Sequence, residues 1–183
     1  MMNHSMWKVV ALNLVWLMGC AAGGDDMAAK LKEGAPAPPF ALAAQDGKTY
    51  RLSDLKGKWV VLYFYPKDDT PGCTKEGCDF RDQYARVLKT GAVVLGVSKD
   101  SLESHKKFAE KFSFPFPLLS DEDAKVCTAY GAYGPKTLYG RIFKGIIRTT
   151  VVIGPDGKIR KIFPKVKVDG HVEEVLQVIE KGA

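Results

Sequence analysis

Apolar and polar positions fall into blocks that alternate between two periods along most of the chain. Residues 59–65 (WVVLYFY) form an unbroken apolar run rich in β-branched and aromatic side chains. This is the pattern of a strand covered on both faces, and Pro66 ends it. Residues 92–97 (AVVLGV) repeat the pattern. Between the two runs, Phe80, Tyr84, Val87 and Leu88 recur at helical spacing. Residues 101–112 read as a second helix with Ser101 as N-cap, residues 116–119 as a short strand, and residues 123–130 as a short helix. Residues 131–147 carry glycine and tyrosine without a clear period and read as a connection.

Two turn signals bracket the rest. Asp46-Gly47 sits between half-apolar runs and predicts a hairpin over residues 40–52. Gly154-Pro155-Asp156-Gly157 separates residues 148–153 from 158–163 and predicts a second hairpin. Asp169 is placed to cap a last helix in which Val172, Val175, Leu176 and Ile179 form one stripe. Strands alternating with helices, then a hairpin and a helix, imply an α/β fold with a mixed sheet covered by helices on both faces.

The first residues do not belong to that fold. Lys8 is the only Lys, Arg, Asp or Glu before Asp25, and residues 9–18 are apolar apart from Asn13. A bilayer-spanning helix needs roughly 20 residues; this run is shorter and suits a secretory leader. It ends in Leu17-Met18-Gly19-Cys20, which resembles the lipobox of bacterial lipoproteins. The expected division is a lipoprotein-type signal peptide at 1–19, a tether at 20–32 and one domain at 33–183. Lipidation is expected at Cys20, with anchoring in the cell envelope facing the periplasm. A soluble periplasmic protein is the alternative.

Composition narrows the function classes. The 183 residues suit one domain. A formal charge of +6, carried by scattered lysines without a basic stripe interleaved with aromatics, argues against nucleic-acid binding. Of the four cysteines, Cys20 would go to lipid. That leaves Cys73, Cys78 and Cys127, an odd set for a framework of paired disulfides.

The chemistry concentrates in TPGCTKEGC, residues 70–78. With Thr70 as N-cap and Pro71 at the first helical position, both favoured placements, Cys73 falls at the third. A capping box puts a glutamate there, turned back toward free amides. Here the anion slot holds sulfur, and the helix dipole with its unpaired amides favours thiolate over thiol. Cys73 is therefore expected to be an activated nucleophile. Cys78, five residues on, would point about 140° away, with its Cα roughly 8.6 Å from that of Cys73. That exceeds the roughly 7 Å within which a disulfide can close. The spacing suits a pair that bonds only when the helix opens, and Gly77, about 1 kcal/mol worse than alanine in a helix, is expected to ease that opening.

The stretch YFYPKDDTPGCTKEGCDFRD (63–82) closely resembles peroxiredoxins of the bacterioferritin-comigratory-protein, or Q, type. Pro66, Thr70 and Cys73 match the peroxiredoxin pattern Pro-x3-Thr-x2-Cys. The likeness continues through VSKDSLESHKKF, FPFPLLSD and YGPKTLYGRIFKGIIRTTVVIGPDGKI, covering about residues 33–181.

The resemblance implies a thioredoxin-like fold with an N-terminal hairpin extension. It also implies reduction of hydrogen peroxide and organic hydroperoxides without metal or organic cofactor, in a monomer recycled by a thioredoxin-like reductant. Residue by residue, it implies that Cys73 is the peroxidatic cysteine and that Cys78 resolves it through a Cys73–Cys78 disulfide. Thr70 would hold peroxide and thiolate, Pro66 would shield the thiolate, and Arg148 would supply a fixed positive charge. Cys127 matches no role and reads as a small core residue. Two other readings compete: an envelope thiol–disulfide oxidoreductase, which normally carries C-x-x-C, and a copper-binding thioredoxin-like protein. The latter would have only His105 and His171 in the folded part, both expected on solvated helix positions.

Overall fold

The computed structural model describes residues 31–138 and 140–182. The leader, Cys20 and most of the tether lie outside the described residues, and among those described no helix is long and apolar enough to cross a membrane. The first element is a hairpin, β1 (Ala41–Ala43) and β2 (Thr49–Arg51), with Leu42 opposite Tyr50. Gly47 makes its turn at φ 78°, a conformation that glycine adopts without strain.

The core is a five-stranded sheet in the order β5–β4–β3–β8–β9. Its centre is β3 (Val60–Phe64), buried at all five positions, as the apolar run predicted. It pairs parallel with β4 (Val93–Ser98) and antiparallel with β8 (Thr149–Ile153). Parallel β5 (Leu118–Ser120) and antiparallel β9 (Ile159–Pro164) complete it, so the sheet is mixed.

The two faces of β3 divide the core. Val61, Tyr63 and Tyr65 face α1 (Pro71–Asp82), α2 (Tyr84–Lys89), α3 (Leu102–Phe112) and α5 (His171–Gly182) through Phe80, Val87, Phe108 and Leu176. Val60, Leu62 and Phe64 face the short α4 (Lys125–Ala129), with Phe40 and Ala44 of the N-terminal segment. Phe80 is fully buried, and its truncation to alanine would cost about 3–5 kcal/mol.

Four details differ from the sequence reading. The helix after Cys73 breaks at Gln83 into α1 and α2, and Leu88 is 58% exposed, off the buried stripe. Residues 131–147, which the sequence reads as a connection, contain a hairpin, β6 (Tyr133–Leu138) and β7 (Arg141–Ile146), paired only with each other among the described residues. Most of β7 is solvent-exposed, so no alternation of buried positions marks it. The last helix starts at His171, two residues past Asp169, whose carboxylate is 92% exposed and pairs with Lys75. Finally, His105 and His171 are buried rather than solvated. His105 lies on the inward stripe of α3 with Phe108 and Ala109, and His171 starts the stripe that continues through Val175.

Topology brings distant residues together. Because β8 runs antiparallel to β3 with Thr149 opposite Phe64, Arg148 arrives where β3 ends and the loop into α1 begins. The N-terminal segment joins at the other end of the sheet. There the Gly34 amide donates to the Ile159 carbonyl (2.7 Å), beside the Val60–Ile153 pair.

Candidate active site

Helix α1 begins at Pro71, so Cys73 occupies its third position, as predicted. Thr70 is at the N-cap in extended conformation, but its side chain does not cap the helix. Its hydroxyl donates to the Lys67 carbonyl (3.0 Å), tying the preceding loop together and leaving the first-turn amides without a side-chain acceptor. Pro66 follows buried Tyr65 and opens that loop, the place its strand-ending role requires.

Cys73 is 2% exposed, and Arg148 Nη2 donates to its Sγ at 3.3 Å. The other guanidinium arm, Nη1, donates to Glu76 Oε2. Arg148 thus bridges thiol and carboxylate with most of its side chain out of solvent. Its side chain is 15% exposed against 0% for Glu76. Burial works against the guanidinium charge, but Glu76 and Cys73 outweigh it and hold Arg148 above its ordinary value. Gly72 also finds its reason here: a Cβ at that position would stand 3.2 Å from Arg148 Nη2.

Sequence reasoning missed Glu76. It lies three residues after Cys73 and therefore on the same helix face, a signal that spacing alone carried. Burial pushes its carboxyl up to about 7 against the opposing pull of Arg148. Its Oε1 is buried without a hydrogen-bond partner, which explains the burial cost.

The second cysteine is placed as the spacing required. Cys73 and Cys78 are both free thiols on one intact helix, the first buried and the second half-buried. Gly77 between them has a role the sequence did not suggest. It is buried, and the Phe114 ring packs on it so closely that a Cβ there would stand 2.5 Å from Phe114 Cζ.

Cys127 is fully buried, its amide donates to Asp121 Oδ2 (2.7 Å), and burial pushes its thiol up. A small core residue is what the sequence predicted. The two histidines are engaged away from the cysteines. His105 contacts Asp68 and the Leu119 carbonyl. His171 Nε2 lies 2.8 Å from Thr150 Oγ1, and burial, with Arg148 nearby, pulls it down to about 4. Neither is left to join the cysteines around copper.

The site is thus a buried thiol at a helix N-terminus, bonded to a cation that a buried carboxylate holds from behind. Such a site can keep a thiolate and stabilise negative charge on an oxygen arriving beside it.

The chain matches the AhpC/TSA family over residues 34–162. It is 53% identical over 146 residues to the putative peroxiredoxin bcp of Coxiella burnetii, covering 80% of this chain and 97% of that one. It is 47% identical over 147 residues to peroxiredoxin Bcp of Bacillus subtilis, covering 80% and 94%. Among solved structures, a Xylella fastidiosa PrxQ cysteine mutant superposes with a TM-score of 0.78 at 40% identity, covering 83% and 97%. The Xanthomonas campestris bacterioferritin comigratory protein, described for its alkyl peroxide reduction activity, superposes with a TM-score of 0.75 at 41% identity, covering 78% and 91%. The cysteine–arginine site and these likenesses together make the chain a member of the AhpC/TSA family, a peroxiredoxin of the bacterioferritin-comigratory-protein (Q) type with the thioredoxin-like fold and the thiol-dependent peroxidase chemistry of that group.

Proposed function

We propose that this peroxiredoxin reduces hydrogen peroxide and alkyl hydroperoxides by a cycle confined to Cys73, Cys78 and their immediate neighbours. The Cys73 thiolate attacks the terminal peroxide oxygen, and the O–O bond breaks. One oxygen stays on sulfur as a sulfenic acid, while the other leaves and takes up a proton as water or alcohol. Arg148 stabilises the thiolate and the charge growing on the leaving oxygen, with Thr70 hydrogen-bonding the peroxide and Pro66 shielding the sulfur. Helix α1 then opens, the Cys78 thiolate attacks the Cys73 sulfur, and water leaves as the disulfide forms. A thioredoxin-like dithiol reduces that disulfide and is itself oxidised.

The observation that carries this reading is the 3.3 Å contact from Arg148 to Cys73 Sγ at the helix N-terminus. The C-x4-C spacing and the cation at the first sulfur favour it over a thiol–disulfide oxidoreductase. Peroxide consumption by the full chain, with candidate reductants added one at a time, tests it. Turnover with a thioredoxin-like dithiol is expected, and no peroxide loss with any reductant would overturn it.

The leader motif supports a lipoprotein anchored at Cys20 in the cell envelope, and the family resemblance supports a monomer. The chain enters the fold at the sheet end remote from Cys73, so the reacting end would face away from the attachment point. Mass spectrometry of the mature N-terminus tests the anchor. A lipid-modified Cys20 at the mature N-terminus is expected, and an unmodified N-terminus would overturn it.

A further inference from the structure

We propose that His105 is a positioning residue for the peroxidase reaction, acting as a doubly protonated ring that pins the loop leading into the catalytic helix. The proposal rests on Cys73 as the reacting thiol and assigns work to a buried cluster that the cycle above does not use.

The protonation follows from hydrogen-bond accounting. His105 is fully buried, and its Nε2 lies 3.2 Å from the Leu119 carbonyl oxygen. A carbonyl cannot donate, so Nε2 carries a proton. On the other side, Nδ1 lies 2.9 Å from Asp68 Oδ2 and 3.1 Å from Oδ1. Those oxygens already accept from Ser104 Oγ (2.7 Å) and Tyr65 Oη (2.8 Å). Burial holds Tyr65 well above its ordinary value, so it stays a hydroxyl donor. A bare Nδ1 would then set its lone pair against a carboxylate. With a proton on Nδ1, every contact becomes a donor–acceptor pair and Asp68 receives three donors.

The placement gives the ion pair its consequence. Asp68 belongs to the six-residue loop from Tyr65 to Thr70 that joins β3 to α1. Its amide donates to Asp100 Oδ2 (2.9 Å) in the turn after β4, and its side chain reaches Ser104 and His105 of α3. Asp69, next in the loop, sits at φ 53°, a strained conformation for a non-glycine residue that persists only where neighbours enforce it. The clamp thus ties the loop before the catalytic helix to the turn after β4, to α3 and to β5.

The groups facing the ring are Tyr65 just after β3, Asp68 from the loop and the Leu119 carbonyl from β5, with Ser104 of its own helix bonded to Asp68. Lys67, Asp69, Asp100, Lys107 and Lys111 line the cleft outside it. Loss of the ring proton would set the Nδ1 lone pair against Asp68 and loosen the loop.

The test combines spectroscopy with kinetics on the full chain. Long-range proton–nitrogen correlation on 15N-histidine-labelled protein, assigned with His105→Gln, should show both His105 nitrogens protonated at neutral pH. In Asp68→Asn one nitrogen should be bare. A wild-type ring with one bare nitrogen would overturn the proposal without touching Cys73. Oxidation of Cys73 by peroxide, followed by rapid quench and alkylation, should slow by up to about 10²-fold in Asp68→Asn and His105→Gln, because a displacement of about 1 Å at a reacting centre carries a cost of that order. Unchanged variant rates would overturn the positioning role, and the wild-type nitrogen spectrum decides the ring's protonation even if a variant folds poorly. Failure of Cys73 itself to oxidise would instead overturn the peroxidase assignment.

Discussion

The ring of Phe114 lies flat against the backbone of Gly77, so close that a β-carbon there would stand 2.5 Å from Cζ and 3.0 Å from both Cε atoms. This contact reverses an inference drawn from helix propensity alone. Alanine at 77 was expected to favour the helix by about 1 kcal/mol, but here it must displace an aromatic ring packed among Phe108, Phe112 and Phe116. Overpacking of this kind typically costs about 1–3 kcal/mol. Gly77→Ala is therefore expected to lower the urea midpoint. Because the penalty falls on the folded helix, disulfide formation should quicken and the fraction of Cys73 reaching sulfinic acid per turnover should drop. Urea melts and mass spectrometry across a peroxide series check both; a higher midpoint with more over-oxidation would restore the propensity argument.

Cys73→Ser is expected to abolish peroxide reduction, since Cys73 is the cysteine that Arg148 contacts. Cys78→Ser should complete one oxidation and then stall with thioredoxin-type reductants. Cys127 cannot rescue it, because its thiol is buried and held protonated by that burial. Sustained turnover by Cys78→Ser would transfer resolution to a thiol outside the chain's own fold.

Arg148→Ala removes two contacts at once, and the two effects can be separated. Loss of a preorganised donor at the developing oxyanion should lower the rate of Cys73 oxidation by about 10²–10³-fold. Leaving Glu76 buried and unpaired should also cost about 3–5 kcal/mol of stability. In the double variant Arg148→Met with Glu76→Gln, stability should largely recover while the rate does not. Recovery of both would make Arg148 a structural residue only.

His171 makes an acid-side prediction. Its folded-state value of about 4 lies below the unfolded value of 6.5. Between those values the unfolded chain binds the extra proton, so stability falls as pH drops through this window. The loss by pH 4 is about 3 kcal/mol for this group. His171→Gln, which can still meet Thr150, should show a shallower decline from pH 6.5 to 4 than wild type. Parallel declines in urea midpoint would assign the acid sensitivity elsewhere.

Much of the architecture was legible because it is local. The apolar runs at 59–65 and 92–97 could only be buried strands, and Gly154-Pro155-Asp156-Gly157 could only turn the chain back. Thr70 and Pro71 set the helix start that places Cys73 at its third position, since N-terminal geometry depends on residues within one turn. The hairpin at 133–146 was not legible, because strands that pair only with each other and face solvent carry no buried alternation.

The rest required contacts between segments far apart in sequence. Arg148 reads as a surface residue until antiparallel pairing of β8 with β3 delivers it to Cys73, 75 positions away. Glu76 draws no reading from the sequence and His105 is expected at a solvated position; only packing shows that one holds the arginine and the other grips Asp68. Gly77 reads as a weak point in a helix until Phe114, arriving from the end of α3, fills the space its side chain would need. Periodicity records which positions turn inward. What a buried polar or small residue meets there depends on long-range geometry, and the fold alone decided that.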